Sequence, residues 1–179
     1  MNQHHSENNQ IVTVQHISFF QTFGYLALPG LIKDCIDEII LAFEEVWKQR
    51  GHTHNGVTHD GSKRSCIVPF PDQHPRLCQL LDDPRIDAIA SALLGDDYNF
   101  MPSDGNYYAG DTRWHSDGAN SDILHIKIAY YLDPLSRETG CMRVIPGSHR
   151  FGDQYADSLG RGLGNSQDLW EIDGSQVPA

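Results

Sequence analysis

His115-Ser116-Asp117 sets an imidazole and a carboxylate two residues apart. In extended backbone, side chains two apart leave from the same face, so both groups can converge on one point. One nitrogen and one oxygen ligand from a single strand end suit a borderline divalent metal. With a second, distant histidine they complete the facial triad of non-haem Fe(II) oxygenases, which leaves three coordination positions open. Alone, the tripeptide is weak evidence, because any histidine and aspartate can fall at this spacing in a polar turn. Ten histidines in 179 residues invite other readings too. His52, His54, His59 and Asp60 could form a second metal cluster, but they sit in a Gly/Asn/His stretch, residues 51–62, that reads as a solvated surface loop.

The elements that must position these groups change character near the middle of the chain. Ile17, Phe19, Phe20 and Phe23 recur at helical spacing up to Gly24, and Tyr25 to Leu28 is a short strand candidate closed by Pro29-Gly30. Leu31, Ile32, Cys35, Ile36, Ile39, Ile40, Phe43, Val46 and Trp47 predict the clearest helix, its apolar stripe a core face, with Gly51 as its stop. Arg76 to Leu81 and Pro84 to Leu94 follow as helical stretches, the second opened by an Asp83 cap and a proline at its first position, and Gly95 ends the helical half. Strands are expected afterwards: Tyr98 to Met101, Asn106 to Ala109, Ile123 to Leu132, Cys141 to Ile145 and a last run near Leu169 to Ile172. The longest separates two faces, with Leu124, Ile126, Ile128, Tyr130 and Leu132 on one and Ile123, His125, Lys127, Ala129 and Tyr131 on the other. The apolar face must pack inside or on the helices; the other is solvent or cavity. Helices first and antiparallel strands after predict an α+β domain with a sandwich or barrel core.

Composition narrows the class. With 39% hydrophobic and 21% charged residues the chain can bury a core, so wholesale disorder is excluded, and its length fits one domain over residues 1–179. A formal charge of -11 disfavours a phosphate-tracking nucleic-acid binder and an anionic-membrane binder. Met1 to Gln10 lack the apolar core of a signal peptide, and no run is long enough to span a bilayer, so a soluble, cytoplasmic protein is expected. Cys35, Cys66, Cys78 and Cys141 form no CxxC pair and read as free thiols.

Three ordered stretches resemble the phytanoyl-CoA dioxygenase family. They are Trp114-His115-Ser116-Asp117; the strand ending Tyr130-Tyr131-Leu132-Asp133-Pro134; and Ser136-Arg137-Glu138-Thr139-Gly140-Cys141-Met142-Arg143-Val144-Ile145-Pro146-Gly147-Ser148-His149. Phe19 to Ile32 looks like that family's N-terminal helix, strand and turn, so the resemblance runs from about residue 16 to about residue 150. It implies a double-stranded β-helix, or jelly roll, with N-terminal helices packed on one side. It also implies Fe(II)- and 2-oxoglutarate-dependent hydroxylation of a small organic substrate by dioxygen, in which 2-oxoglutarate is decarboxylated to succinate. His115 and Asp117 are then the catalytic metal ligands. Related halogenases carry a small residue in place of this aspartate, so Asp117 favours hydroxylation.

Tyr107, Ala129 and Tyr131 are the candidates to line the cosubstrate pocket. Ala129 falls near where relatives carry an aromatic residue beside the cosubstrate. One of Tyr107 and Tyr108 must face the site if the other faces out, against core packing as the alternative. Trp114 reads as structural packing, and Arg113 and Arg143 as the best-placed cations for an acidic ligand, with a surface salt bridge the commoner fate of either. Loop 51–62 would border the substrate mouth. The family's second histidine lies well beyond the PGSH turn and is followed by an arginine for 2-oxoglutarate. Here His149 is the last histidine, no cation follows Arg161, and the chain ends at Ala179, so a jelly roll lacking its C-terminal strands is expected. Three readings follow: the dioxygenase; a catalytically silent jelly-roll fragment or binding module; and a cupin-like metal protein using His115, Asp117 and His149. Substrate identity and oligomeric state stay open.

Overall fold

The computed structural model describes residues 11–54, 56–101, 103–109, 115, 123–150 and 152–163. Thr13 opens helix α1 (Val14–Phe23) by accepting the His16 N–H on its hydroxyl, while His16 Nδ1 accepts the Thr13 N–H. This is a reciprocal capping box with imidazole in the place usually held by glutamate. Gly24 ends the helix in the left-handed region, φ 79°.

Helix α2 (Ile36–Gln49) buries Ile39, Ala42, Phe43, Val46 and Trp47 along one stripe, with Asp37 and Glu38 in its first turn and Lys48 in its last, the arrangement that complements the helix dipole. The periodicity predicts a start at Leu31. The helix begins later because the N–H groups of Leu31, Lys33 and Cys35 bond to the carbonyls of Leu28, Gly30 and Ile32, tight turns that carry the chain past Pro29-Gly30. Beyond α2, the stretch read as a loop contains a small hairpin, β1 (Thr53–His54) and β2 (Val57–Thr58), with Thr53 opposite Thr58 and His54 opposite Val57.

Strand β3 (Ser65–Ile67) leads to a 3-10 turn (Pro71–Gln73) and the short helix α3 (Pro75–Cys78), capped by His74, whose Nδ1 accepts the Arg76 N–H. Helix α4 (Pro84–Leu94) starts as expected, with the Asp83 carboxylate accepting the Arg85 N–H and Pro84 at the first position. Strand β4 (Gly105–Tyr107) returns antiparallel to β3, pairing Ser65 with Tyr107, Cys66 with Asn106 and Ile67 with Gly105. Helix α5 (Gln154–Leu163) is the last described element. The fold is thus a mixture of helices and two small two-stranded sheets, and no barrel closes among the described residues.

Among the described residues, Asn106 to Ala109 is the one strand candidate that overlaps a ladder. Tyr25 to Leu28, Tyr98 to Met101, Ile123 to Leu132 and Cys141 to Ile145 are unladdered among the described residues, and Leu169 to Ile172 lies outside them. Side-chain alternation reports which face is buried, whereas a ladder also needs a neighbour's N–H and C=O groups in register. Burial from 126 to 132 keeps the predicted period: Ile126, Ile128, Tyr130 and Leu132 are half-buried, and Lys127, Ala129 and Tyr131 are exposed; Leu124, expected on the buried face, is exposed instead.

Two apolar clusters carry the packing. The larger joins the α2 stripe to Ile67, Phe70, Leu77 and Leu80, and the smaller joins Val12 to Ile86 and Ile89. Tyr130 packs against both, and its burial pushes the phenol pKa up to about 12. Residue 105 must be glycine for a steric reason: a Cβ there would lie 2.3 Å from the Phe70 ring. All four cysteines are free.

Candidate functional site

The β3–β4 ribbon has two faces of opposite character. Ser65, Ile67, Gly105 and Tyr107 share one. Ile67 is buried, and the Tyr107 ring lies 4.7 Å from Trp47 and 5.3 Å from Phe43, centroid to centroid. The His59 ring stacks on Tyr107 at 4.9 Å, and His59 Nδ1 is 2.8 Å from the Ser65 hydroxyl. The Tyr107 hydroxyl donates to the Glu44 carboxylate at 2.7 Å. Burial first, and then this anionic acceptor, hold its pKa well above the ordinary phenol range.

The other face is polar. Arg64 Nη2 donates to Asp104 at 2.7 Å, Arg64 Nε donates to the Asn106 side-chain oxygen at 2.7 Å, and the Asn106 amide donates to Asp104 at 2.9 Å. The guanidinium carbon stands 5.0 Å from the centre of the Tyr108 ring, a cation–π distance. Cys66 Sγ lies 3.7 Å from both Arg64 Nη2 and Asp104, and burial pushes its thiol pKa up, so it is not primed as a nucleophile. For Asp104 burial works to raise the pKa, but the Asn106 hydrogen bond and the charges of Lys127 and Arg64 outweigh it and hold the carboxyl below its usual range.

Lys127 lies close enough to this face for its charge to help lower the Asp104 pKa. For Tyr131, burial raises the phenol pKa, with Tyr108 and Cys141 contributing as neighbours. Lys127, Ala129 and Tyr131 are all exposed. Of the three cosubstrate candidates, Ala129 and Tyr131 are exposed on that row, whereas Tyr107 lies on the opposite face of β4, among the core aromatics. Its neighbour Tyr108 is the tyrosine turned outward.

His115 is exposed. Asp117, Arg113 and Trp114 lie outside the described residues, and among the described residues no three His, Cys, Asp or Glu side chains gather as a metal-binding group. His149 is committed elsewhere. Its Nε2 donates to the Gln21 carbonyl at 3.2 Å, and its ring lies against Gly24, where a Cβ would come within 2.2 Å of Nδ1. The His52–His59 stretch is likewise structural in the main, since β1, β2 and the His59–Tyr107 stack account for it. Sequence reading passed over Asp104, Asn106 and the pairing of Arg64 with them, because the two strands lie about forty residues apart and nothing local marks them as partners.

The family profile of phytanoyl-CoA dioxygenase (PhyH) matches residues 20–165, and the chain belongs to that family. No curated protein and no solved structure matches it. The family's fold is the jelly roll, and its members are usually Fe(II)- and 2-oxoglutarate-dependent dioxygenases. No helix among the described residues is long and apolar enough to cross a membrane.

Proposed function

We propose that this chain carries the Fe(II)- and 2-oxoglutarate-dependent hydroxylase chemistry of its family, acting on a small organic substrate, within a jelly-roll domain with N-terminal helices on one side. The observation that carries the reading is the family match over residues 20–165, which encloses His115-Ser116-Asp117. The donor set fits the metal: an imidazole and a carboxylate two residues apart supply the mixed nitrogen and oxygen ligation that non-haem Fe(II) takes. His115 and Asp117 would hold it. Bound Fe(II) with 2-oxoglutarate and dioxygen supplies the oxidising power, with succinate and carbon dioxide leaving as the substrate gains a hydroxyl group.

The chain's own residues bind, orient and shield. Ala129 and Tyr131, on the outward row, line the cosubstrate side, where the small Ala129 leaves room and the Tyr131 ring supplies a wall. Tyr107 acts from behind, fixing β4 through its ring contacts and its bond to Glu44. His149 is no part of the ligand set, because its Nε2 proton is used on Gln21.

The test is succinate release from 2-oxoglutarate by the protein supplied with Fe(II) and dioxygen, beside calorimetric titration with Mn(II) and 2-oxoglutarate. Asp117→Ala and His115→Ala are expected to abolish both signals. A wild-type chain that binds neither metal nor cosubstrate would leave the silent binding module as the correct reading.

A further inference from the structure

We infer that the start of α1 is an acid-sensitive latch, closed by the neutral His16 imidazole and opened by its protonation. The inference goes beyond the proposed function and stands independently of any metal or cosubstrate.

The latch has a polar half and an apolar half. His16 Nδ1 accepts the Thr13 N–H at 3.3 Å, and the Thr13 hydroxyl accepts the His16 N–H at 3.2 Å. Val12, just before the cap, is 3% exposed and packs with Ile86 and Ile89 of α4, and Ile17 lies against the same cluster. Apolar residues before the cap and at the fourth helical position, joined to a capping box, fix the angle at which a chain enters its helix. None of the α1 residues is fully buried, so its attachment rests heavily on its two ends. One end is this latch; the other is the turn at Gly147 and His149, which meets the last carbonyls of the helix. The first turn also walls an apolar groove with Phe19, Tyr25, Leu26 and Ala27, so opening the latch loosens one side of that groove.

An imidazole accepts at Nδ1 only while that nitrogen carries no proton. Histidine is the side chain whose charge changes between about pH 5 and pH 8, so mild acid turns this acceptor into a donor facing the Thr13 N–H. Protonation also sets a positive charge in the first turn of the helix, where the dipole disfavours one. Among the described residues nothing offsets that cost. The first turn of α1 holds no acidic residue, and His16 has no ion-pair partner. Tyr25 is the titratable group that shares its groove. On α4, Asp87 is bound to the Tyr98 hydroxyl and Arg85 to Asp83 and Asp34. Two other imidazoles at helix ends are placed differently. His74 caps α3 through Nδ1, but its Nε2 lies 3.2 Å from Glu45, so a protonated ring gains an ion pair there. His149 donates from Nε2 at the end of α1 where the dipole favours a cation. Of these three, His16 alone loses on protonation and gains nothing.

The experiment is hydrogen exchange of the full chain, read as amide protection factors at about pH 7.5 and about pH 5.5, either side of the range in which imidazole changes charge. The amides of the first turn of α1 are expected to lose protection about 3-fold or more at the lower pH, the scale of one hydrogen bond, while those of α2 hold. His16→Gln keeps an acceptor that does not titrate, and its α1 protection is expected to be the same at both pH values. His16→Glu, the residue usual at this position of the box, is expected to be equally flat between them and serves if the glutamine variant unfolds. His74→Gln is expected to leave the α1 response as in the wild type. At the higher pH the imidazole nitrogen spectrum of His16 is expected to place the ring proton on Nε2, a tautomer that a merely packed ring need not adopt. Wild-type α1 protection that does not change with pH overturns the inference, as does a response of the same size in His16→Gln and His16→Glu.

Discussion

His149 Nε2 lies 3.2 Å from the carbonyl oxygen of Gln21, a hydrogen bond that spans 128 residues of chain. It does not act alone. The Gly147 N–H donates to the Phe23 carbonyl at 2.9 Å, and Arg150 Nη2 donates to the Thr22 carbonyl at 2.9 Å. The last carbonyls of α1, which no helical N–H can reach, are thus satisfied by the Pro146-Gly147-Ser148-His149 turn and the residue after it. The turn motif in this chain is a cap supplied from a distance.

A cap of this kind should register in stability and not in metal binding. His149→Ala is expected to cost about 1 kcal/mol, the scale of one hydrogen bond at a helix end, and to lower Tm with Mn(II) affinity unchanged. Loss of metal binding in that variant would return His149 to the ligand set. Gly24→Ala should cost more, because it forces an alanine to φ 79° and drives its Cβ into the imidazole.

The contact of Gly105 with Phe70 gives a second stability test. Gly105→Ala puts a methyl group where the ring sits, and overpacking at such a site costs about 1–3 kcal/mol. Pairing it with Phe70→Leu should recover part of the loss, so that chemical denaturation of the two single variants and the double reports a non-additive couple. Simple additivity would mean the strand moves aside freely.

Acid should weaken the start of α4. Hydrogen bonding from the Arg85 side chain, opposed by burial and assisted by the Arg85 N–H, holds the Asp83 carboxyl below its ordinary range. A carboxyl depressed in the folded state contributes stability that is present above the unfolded aspartate value, about 3.9, and is lost as pH falls through the folded value. Denaturation midpoints measured from pH 6 down to pH 2 should therefore drop below about pH 4, and Asp83→Asn should flatten that part of the profile. The same Arg85 bonds Asp34 and the Leu31 carbonyl, so Arg85→Ala should loosen the turn before α2 as well as the cap of α4.

Alkali should act through Tyr130. Burial raises its pKa to about 12, so its neutral phenol is favoured in the folded protein. That stability is fully present below the unfolded tyrosine value, near 10, and declines as pH climbs towards about 12. Ultraviolet titration should show Tyr130 ionising late, as Tyr107 also does, and Tyr130→Phe should remove one such late transition together with its share of the alkaline decline.

How far the sequence showed all this depended on whether a feature is local. The cap of α4 was legible because Asp83 and Pro84 lie next to each other. The stripe of α2 was legible because one helix face repeats every few residues, and the half-buried row from Ile126 to Leu132 because alternation is a property of the segment itself. α2 starts five residues later than its periodicity implies, since Leu31 and Ile32 are apolar at the right spacing but are drawn into turns by Pro29-Gly30. The β1–β2 hairpin lies in a stretch whose composition reads as a loop, because two-residue strands carry no periodicity of their own. The pairing of Ser65 with Tyr107 had no such marker: three-residue strands carry little periodicity, and their partnership is decided by packing on Phe43, Trp47 and Phe70. That is why Tyr107 cannot be told from Tyr108 by inspection, and why nothing local pairs Arg64 with Asp104 and Asn106.

The parity of the β3–β4 ribbon divides what selection can act upon. At positions 65, 67, 105 and 107 a change is paid for in folding, because those side chains meet the aromatic core. At 64, 66, 104, 106 and 108 it touches mainly polar neighbours and solvent. Substitutions can therefore accumulate at alternate residues of one short ribbon while the intervening residues keep the scaffold as it is, and descendants with differing surfaces could share the same interior.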